Sequence, residues 1–538
     1  MVGWYDPRVL AHSAYKLAIA NVFGRHSDTR LIEALANQPQ TEFDYSVAEG
    51  DFWLDYTADI GDGWNSTYAV ADAIATPELE LEHGGTREIT RTGRVLVFGG
   101  DEVYPYPSRN EYEVRTETPY SMAFAGRARP DLFAIPGNHD WYDSLVAFSR
   151  TFCRPERGFA GCVTKQTRSY FALKLPANWW LLAIDLQLGA DLDEPQVQYF
   201  QKVAARMDGR AQLIFCVPEP QWILEEAYPR HSSYEHASTR FLEEKVFKRP
   251  ARVFLTGDLH FYKRHEDPRR VQKITSGGGG AFLHPTHAPK TQQLRNGFVQ
   301  RAVYPDEKTS AGLCWRNFLF PLLNPKAGWL YAFLYAMSAW LASASLNAAD
   351  VVDLPTAFGA AINAAIRDPL NGMWLVMVVG AFIFFTDTHV RSWRILGGAF
   401  HALSHLTAAF LVGWLAVLLT VRLLDLAYGS VSQLLLAGGV TLVLGALVGS
   451  FILGAYLFVS IRVFGRHNNE AFSALRIADF KQWLRLRIDR QGTLTLYAIA
   501  IDRVPRRWRE ARRNGESTME SDDRRATRPR LIDRVELQ

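Results

Sequence analysis

Short apolar runs recur along the N-terminal part of the chain, and each run ends in a polar or glycine-rich cluster. The runs are VLVF at 95–98, LFAI at 132–135, WWLLAI at 179–184, QLIFCV at 212–217, RVFL at 252–255 and VQKIT at 271–275. Runs of this kind predict strands that are buried on both faces of an α/β sheet. Because ligands of such sheets bind beyond the carboxyl ends of the strands, the polar clusters are the first candidates for a functional site.

After Pro321 the pattern changes to long stretches without Asp, Glu, Lys or Arg. A helix needs about 20 apolar residues to cross a bilayer core of about 30 Å. The stretches that reach or approach this length are 329–346, 369–386, 395–421 and 433–461. We therefore expect an α-helical transmembrane bundle of about four spans within residues 325–465.

Charged residues next to the predicted spans indicate their orientation, because short cytoplasmic loops hold an excess of Lys and Arg. The loop after the first span contains Asp350, Asp353 and Asp368 against Arg367 alone. The basic residues at the other span ends are Lys326, Arg391, Arg394, Arg462 and Arg466. The N-terminus also lacks the pattern of a signal peptide. We expect a multi-pass protein of the inner or plasma membrane with both soluble parts on the cytoplasmic side.

Three further segments complete the predicted organisation. Residues 1–45 predict an amphipathic helical segment, and residues 466–505 predict a small α/β piece. In this piece a helix leads into the strands LRLRI and LTLYAIAI, with a turn at RQG. The arginine-rich residues 506–538 predict a tail that is disordered or that lies against anionic lipid headgroups.

Composition excludes some classes of function. The formal net charge of +3 is small and evenly spread over the N-terminal part, so we expect no nucleic-acid partner. The four cysteines form neither a C-x-x-C pair nor a disulfide framework, which favours reduced thiols in a cytoplasmic domain.

The polar clusters at the strand ends contain carboxylates, an amide and imidazoles. They are Asp59 and Asp62 in ADIGDG, Asp101 in GGDEVY, Asn138 and His139 in GNHD, and Asp258 and His260 in GDLH. Mixed oxygen and imidazole ligands suit Mn, Fe or Zn better than Ca or Mg. Two such ions held close together would lower the pKa of a bridging water and neutralise charge on a phosphoryl group. An imidazole nearby, His139, would stabilise that charge or protonate the leaving oxygen.

These clusters resemble the sequence blocks of the calcineurin-like metallophosphoesterases, which include the purple acid phosphatases. PGNHD at 136–140 matches the third block of this family, and GGDEVY at 99–104 matches the second. The resemblance implies an α/β sandwich of two sheets flanked by helices, within residues 46–310, with two metal ions. It also implies roles for individual residues: Asp59 and His260 bind the first metal, Asp101 bridges both, Asn138 binds the second, and His139 is catalytic.

The first and fifth blocks differ from the family pattern because each lacks a histidine, and in each case another residue is a candidate to replace it as a ligand. The first block reads D-x-G without the usual histidine, and Tyr104 stands where purple acid phosphatases have a tyrosine ligand. In the fifth block Asp258 replaces the first histidine, a form that resembles the GDVH of PhoD-type phosphodiesterases. An aspartate can replace an imidazole as a ligand, so we expect Asp258 to bind metal.

The fourth block departs further. FCVPEP at 215–220 places Pro218 where the family has a metal-binding histidine. Glu219 beside it is a candidate replacement, and so are His231 and His236 downstream.

Two weaker patterns leave alternatives open. The run SGGGGAF at 276–282, followed by His284 and His287, predicts either a backbone approach to phosphate or a tight turn after a strand. His401 and His405, four residues apart in the third predicted span, predict either packing inside the bundle or a metal or proton site.

The sequence thus predicts a membrane-anchored phosphoesterase that hydrolyses a phosphomonoester or phosphodiester through a metal-bridging hydroxide. The expected partner is a phosphorylated small molecule or a lipid headgroup at the membrane. An alternative is a catalytically degenerate domain that binds a phosphorylated ligand and signals to the bundle, which Pro218 motivates. A transporter regulated by the soluble domain is the third hypothesis, and it lacks the expected intramembrane charge.

Overall fold

The computed structural model describes residues 1–19, 42–186, 192–227, 237–343, 353–386 and 390–538. His231, His236 and Asp350 therefore lie outside the described residues. The chain divides into two compact units. The sheet unit comprises Met1–Val2, His12–Ser310 and Arg476–Gln538, and the helical unit comprises Gly3–Ala11 and Ala311–Leu475.

The strands all belong to the sheet unit. In chain order they are β1 Phe43–Asp44, β2 Phe52–Thr57, β3 Glu78–His83, β4 Thr86–Arg91, β5 Val95–Phe98, β6 Asp131–Ala134, β7 Val163–Thr164, β8 Phe171–Lys174, β9 Trp179–Ala183, β10 Gln212–Cys216, β11 Ala251–Thr256, β12 Tyr262–Glu266, β13 Gln272–Ser276, β14 Val299–Tyr304, β15 Lys481–Ile488, β16 Leu494–Ile501, β17 Trp508–Arg513, β18 Glu516–Ser521 and β19 Arg530–Leu537. The apolar runs of the sequence correspond to β5, β6, β9, β10, β11 and β13.

The α-helices occur in both units. In chain order they are α1 Pro7–Ile19, α2 Trp64–Ala75, α3 Arg109–Tyr112, α4 Thr118–Ala123, α5 Val146–Phe152, α6 Glu194–Ala204, α7 Gln221–Ala227, α8 Ala237–Phe241, α9 Glu307–Leu313, α10 Phe320–Leu323, α11 Gly328–Ser343, α12 Leu354–Arg367, α13 Pro369–Phe385, α14 Arg391–Leu418, α15 Val431–Phe464 and α16 Asn468–Leu475.

Two mixed sheets form the frame of the sheet unit. One has the order β1-β8-β9-β10-β11-β13-β12-β14, and the other has the order β19-β16-β15-β2-β5-β6-β7. Strands β9, β10, β11 and β13 run parallel in the first sheet, and β2, β5, β6 and β7 run parallel in the second. The carboxyl ends of each parallel set therefore share one edge of their sheet.

The sheets pack face to face, and helices cover their outer faces. One buried cluster contains inward side chains of both sheets, such as Tyr56, Val97, Leu181 and Ile214. A second cluster joins the β2-β5-β6 sheet to α2, α4 and α5, and a third joins β9, β10 and β11 to α6 and α7. Strands covered in this way are apolar on both faces, as the continuous runs indicate. The predicted two-sheet α/β architecture with flanking helices is confirmed.

The C-terminal segment belongs to the same sandwich. The predicted pair LRLRI and LTLYAIAI is confirmed as β15 and β16, and β15 pairs antiparallel with β2. The prediction of a disordered tail at 506–538 is wrong, because β17 and β18 form a hairpin and β19 pairs with β16. Leu531, Val535 and Leu537 of β19 are buried at alternate positions among arginines, a period-2 pattern that the high charge concealed.

The helical unit differs from the predicted bundle of four spans. Two helices among the described residues are long and apolar enough to cross a membrane, Arg391–Leu423 and Val431–Phe464. A third span results only if α12 and α13, which meet at a bend of 94°, count as one. Helix α11 has 16 residues and α13 has 17. At about 1.5 Å per residue α13 covers roughly 25 Å, which is short of the bilayer core, while the length of α11 is that of its described part, up to Ser343.

Small residues and histidines pack inside the helical unit. Gly445 and Gly449 of α15 lie so close to Tyr335 and Tyr331 of α11 that an added Cβ would be 2.7 and 2.5 Å from the Cβ atoms of those tyrosines. His401 is buried, and its ring stacks on Tyr456 with centroids 3.8 Å apart. Close approach of this kind is typical of packed membrane helices.

A buried ion pair fastens β15 to β2. Arg485 lies opposite Asp55 in the ladder, and its Nε donates to Asp55 Oδ1 at 2.7 Å. The other guanidinium nitrogens donate to Asp55 Oδ2, Ile74 O and Thr90 Oγ1. Burial raises the pKa of Asp55 in spite of Arg485, so the charged carboxylate depends on this partner.

We expect Arg485→Ala to lower the free energy of unfolding by about 3–5 kcal/mol, because Asp55 would remain as an uncompensated buried charge. Unfolding of the full chain in detergent, followed by tryptophan fluorescence, measures this loss. The control is Arg487→Ala on the same strand, whose contact with Asp51 is 3.9 Å and partly exposed. It should cost less than about 1 kcal/mol, and equal losses in the two variants would contradict the assignment.

Candidate active site

Three aspartates that follow strands adopt an unusual backbone conformation. Asp59 after β2, Asp101 after β5 and Asp258 after β11 have φ values of 57°, 55° and 65°. Left-handed φ is uncommon outside glycine and clusters at functional sites. The loops are also joined, because Asp59 N donates to Gly100 O at 2.9 Å and Asp258 N donates to Asp59 Oδ2 at 2.9 Å.

The hydroxyl of Tyr104 lies at the centre of the group. It is 2.9 Å from Asp59 Oδ1, 3.2 Å from Asp101 Oδ2 and 3.1 Å from His260 Nε2. All of these side chains are buried. The structure thus brings together the residues that the sequence assigns to the first metal position.

The protonation of His260 follows from its other contact. Its Nδ1 lies 2.7 Å from the carbonyl oxygen of Phe282, which only accepts, so Nδ1 carries the hydrogen. Nε2 therefore presents a lone pair toward Asp59 Oδ1, 3.4 Å away. A metal-binding histidine usually donates its second N–H to a carbonyl or carboxylate in this way.

Burial and like charge act together on the carboxylates. Burial raises the pKa of Asp101 well above its usual range, and the charges of Asp59, Asp140 and Asp258 raise it further. Burial also raises the pKa of Asp59 well above its usual range. The pKa of Asp258 rises to about 7 through burial and then through Asp59. Without a cation these carboxyl groups therefore favour their protonated form, and a bound cation would favour the charged form.

The donor set fits a metal ion chemically. Tyr104 has one hydroxyl hydrogen, and acceptor atoms of Asp59, Asp101 and His260 surround it, so once the carboxyl groups are ionised two acceptors lie opposite each other without a hydrogen between them. A cation relieves that repulsion. In the part of the chain that the structure describes, no three His, Cys, Asp or Glu side chains alone are spaced to hold an ion. A cation held there would therefore need the phenol of Tyr104 as a further ligand.

The GNHD turn lies against the same loops. His139 N donates to Asp101 Oδ1 at 2.8 Å, and His139 Nδ1 lies 2.9 Å from Pro105 O. The amide of Asn138 donates to the hydroxyl of Tyr142 at 3.3 Å, which leaves its oxygen as the possible ligand atom. Asp140 holds the turn, because it accepts from Gly137 N at 2.8 Å.

The fourth block contributes no imidazole. Pro218 lies next to the Asp101 loop, since a Cβ on Gly100 would be 3.4 Å from its Cβ. The pKa of Glu219 rises to about 7 through burial and then through Asp258, so its carboxylate lies near the site. Glu219 also lines a cavity of about 260 Å³ with Trp222. Whether it binds the second metal stays a prediction.

The glycine run is packed against the site backbone. A Cβ on Gly277 would lie 2.4 Å from Asp59 Oδ2, and one on Gly279 would lie 2.5 Å from Ala58 O. The run therefore lets strand β13 exit against the Asp59 loop, which favours the tight turn over the phosphate-binding alternative. Asp62 is likewise structural, since its oxygens accept from Val2 N and Phe282 N.

Two residues of β15 contribute to the site in a way that the sequence did not indicate. Lys481 is buried, and its ammonium donates to Ala281 O. Burial lowers the pKa of Lys481 to about 8, while Asp62, Asp479 and Asp59 act in the opposite direction. Gln482 accepts from Ser276 Oγ at 2.6 Å, and its N–H donates to Gly278 O at 3.1 Å. No sequence motif marks these residues, and in the chain they are separated from the other site residues by the helical unit.

Comparison with known proteins gives little likeness. No protein-family model matches the chain, and no curated protein matches it. GAP50, the anchor in the inner membrane complex of Plasmodium, aligns with a TM-score of 0.33 and 13% identity over 46% of this chain and 77% of its own. Purple acid phosphatase PPD1 from yellow lupin seeds aligns with a TM-score of 0.31 and 12% identity over 47% of this chain and 48% of its own. PhoD aligns with a TM-score of 0.31 and 10% identity over 44% of this chain and 59% of its own.

We expect Gly277→Ala to disturb the site, because its Cβ would force Asp59 away from Tyr104. An overpacked site of this kind costs about 1–3 kcal/mol. Metal analysis of the purified variant should show reduced metal per chain. The control is Gly209→Ala, where a Cβ meets nothing within 4 Å. Equal metal content in both variants and the wild type would contradict the packing role of Gly277.

Proposed function

We propose that the chain is a membrane-anchored, metal-dependent phosphoesterase that hydrolyses a phosphomonoester or a phosphodiester. The observation that carries the proposal is the convergence of Asp59, Asp101 and His260 on the hydroxyl of Tyr104, at the carboxyl ends of strands from both sheets. Buried acceptors that outnumber the available hydrogens favour a cation, and phosphoryl transfer is a reaction that cations at such a site support.

The sheet unit would hold two metal ions of Mn, Fe or Zn. The residues for the first are Asp59, Asp101, Tyr104 and His260, and those for the second are Asp101, Asn138, Asp258 and Glu219. When bound, the ions supply Lewis-acid chemistry at the phosphoryl group and at a water that attacks it. We also propose that residues 46–310 form the catalytic domain together with the strands β15, β16 and β19.

His139 would exchange a proton with the leaving oxygen. Its Nδ1 donates a hydrogen bond to Pro105 O, so Nε2 is the ring atom that would exchange a proton with the ester oxygen. Its backbone N–H holds Asp101 Oδ1, which ties the imidazole to the carboxylate that would bridge the metals. Rigid placement of this kind is what general acid–base catalysis requires.

The anchoring helices favour a substrate at the bilayer, such as a lipid headgroup, although a phosphorylated small molecule fits the same chemistry. If the two long helices Arg391–Leu423 and Val431–Phe464 alone cross the membrane, the number of crossings is even. Both soluble parts would then lie on the cytoplasmic side of the inner or plasma membrane, as the basic flanks indicate.

A second candidate function is a degenerate domain that binds a phosphorylated ligand without turnover. Pro218 in place of a histidine favours it, because the second metal position then lacks a strong ligand. The two functions share the fold and differ in catalysis.

We expect Asp101→Asn to lower phosphoesterase turnover by at least about 100-fold, because it removes the carboxylate shared by both metals. The assay uses purified full chain with Mn, Fe or Zn, on p-nitrophenyl phosphate and on its bis ester. Glu49→Gln, a change at an exposed carboxylate, is the control and should retain activity. Wild-type protein without turnover in any metal, indistinguishable from Asp101→Asn, would favour the degenerate domain.

The orientation is tested separately. A cytoplasm-specific reporter fused after Gln538 should be active, because Arg462 lies in the last turn of the last long helix and Arg466 follows it. A reporter that is active only outside the cytoplasm would contradict the proposed sidedness.

A further inference from the structure

The sheet unit carries a patch of exposed arginines near its C-terminus. The patch, called the arginine patch below, lies where the chain enters β17 and where it leaves β18. Its members are Arg503, Arg507, Arg524, Arg525 and Arg528, and all are exposed.

Hydrogen bonds hold these two stretches side by side. Arg503 N donates to Thr527 Oγ1 at 2.9 Å, and Thr527 N donates to Arg503 O at 3.1 Å. Asp523 accepts from Arg506 N at 2.8 Å and from Arg525 N at 3.0 Å. The arginines therefore occupy one ordered surface rather than separate parts of a mobile tail.

Within the described residues, the charge of the patch is compensated only in part. Arg506 pairs with Asp479 at 3.0 Å and Arg509 pairs with Glu520 at 3.1 Å. None of the five patch arginines forms an ion pair with a residue that the structure describes. Two carboxylates lie among the five arginines in the chain, Asp522, which is exposed, and Asp523, whose oxygens accept from backbone N–H groups, so the patch keeps an excess of positive charge.

Such a surface favours a partner with dense negative charge, and two features select a membrane over a nucleic acid. The nearby aromatic side chain, Trp508, packs edge-on against Tyr68 inside the unit, so no exposed ring in the patch offers stacking to bases. In the chain, the short helix α16 lies between the candidate span Val431–Phe464 and the C-terminal segment of the sheet unit, which begins at Arg476 and contains the patch. Basic clusters that follow a membrane helix are typical of binding to anionic headgroups.

We propose that the arginine patch docks on the anionic headgroups of a bilayer and holds the sheet unit at the membrane surface. The contact is electrostatic and needs no insertion of apolar side chains. It is independent of whether the active site turns over.

The test measures hydrogen exchange of residues 503–528 in the full chain, reconstituted in nanodiscs of phosphatidylcholine alone or with about 30% phosphatidylglycerol. We expect slower exchange with phosphatidylglycerol, and loss of that slowing at about 1 M salt, where the Debye length is about 3 Å. The triple variant Arg503→Gln, Arg524→Gln and Arg525→Gln should weaken docking by roughly 100-fold, at about 1 kcal/mol per arginine.

The matched control replaces three exposed arginines elsewhere on the sheet unit, Arg150, Arg154 and Arg210, with Gln. This control should keep the lipid-dependent slowing. Equal exchange of the wild type in the two lipids would overturn the proposal, and so would equal loss in both triple variants. Slowing of the patch by a single-stranded oligonucleotide in phosphatidylcholine discs, without any response to phosphatidylglycerol, would instead identify a nucleic-acid surface.

Discussion

Residues 484–488 of strand β15 pair with residues 52–56 of β2, and the candidate site depends on that pairing. Asp59 follows β2 directly, while Lys481 and Gln482 at the start of β15 hold the glycine run that packs against Asp59. The buried Arg485–Asp55 pair fixes the register at which this happens, because a shift of one residue would separate the charges. Two segments that are distant in the chain, one before and one after the helical unit, therefore build a single site.

Within that frame, the electrostatics of the site are unfavourable without a further cation. Asp59 and Asp101 are buried and Asp258 is half-buried, and when the carboxyl groups are ionised the one hydroxyl hydrogen of Tyr104 cannot satisfy all the acceptors around it. Lys481 carries the nearest buried ammonium, yet it donates to the carbonyl of Ala281 rather than to these carboxylates. Buried carboxylates without a cationic side chain as partner destabilise the fold, and such destabilising arrangements are typical of functional sites.

Much of this could be predicted from the sequence where the signal is local. Apolar runs followed by polar turns located β5, β6 and β11, and the motifs in those turns located Asp101, Asn138 and His260. The roles of Lys481 and Gln482 could not be predicted, because they arise from pairing across the whole helical unit. The strand β19 was missed because charged residues dilute its alternation, and the two long membrane-type helices among the described residues are fewer than the four expected spans, because apolar content does not reveal the bend between α12 and α13.

The order of the chain has a consequence for folding. Until β15 is synthesised, β2 is an edge strand of its sheet, with unpaired backbone groups next to apolar side chains. The helical segments of residues 328–464 come first in the chain, so they are made while this edge is open. Pairings between segments so distant in sequence form slowly, because the loop must close before the contacts stabilise it. The buried ion pair within the β2–β15 ladder favours the correct pairing. If another strand covered the open edge of β2, Asp55 would be buried without Arg485, which is unfavourable.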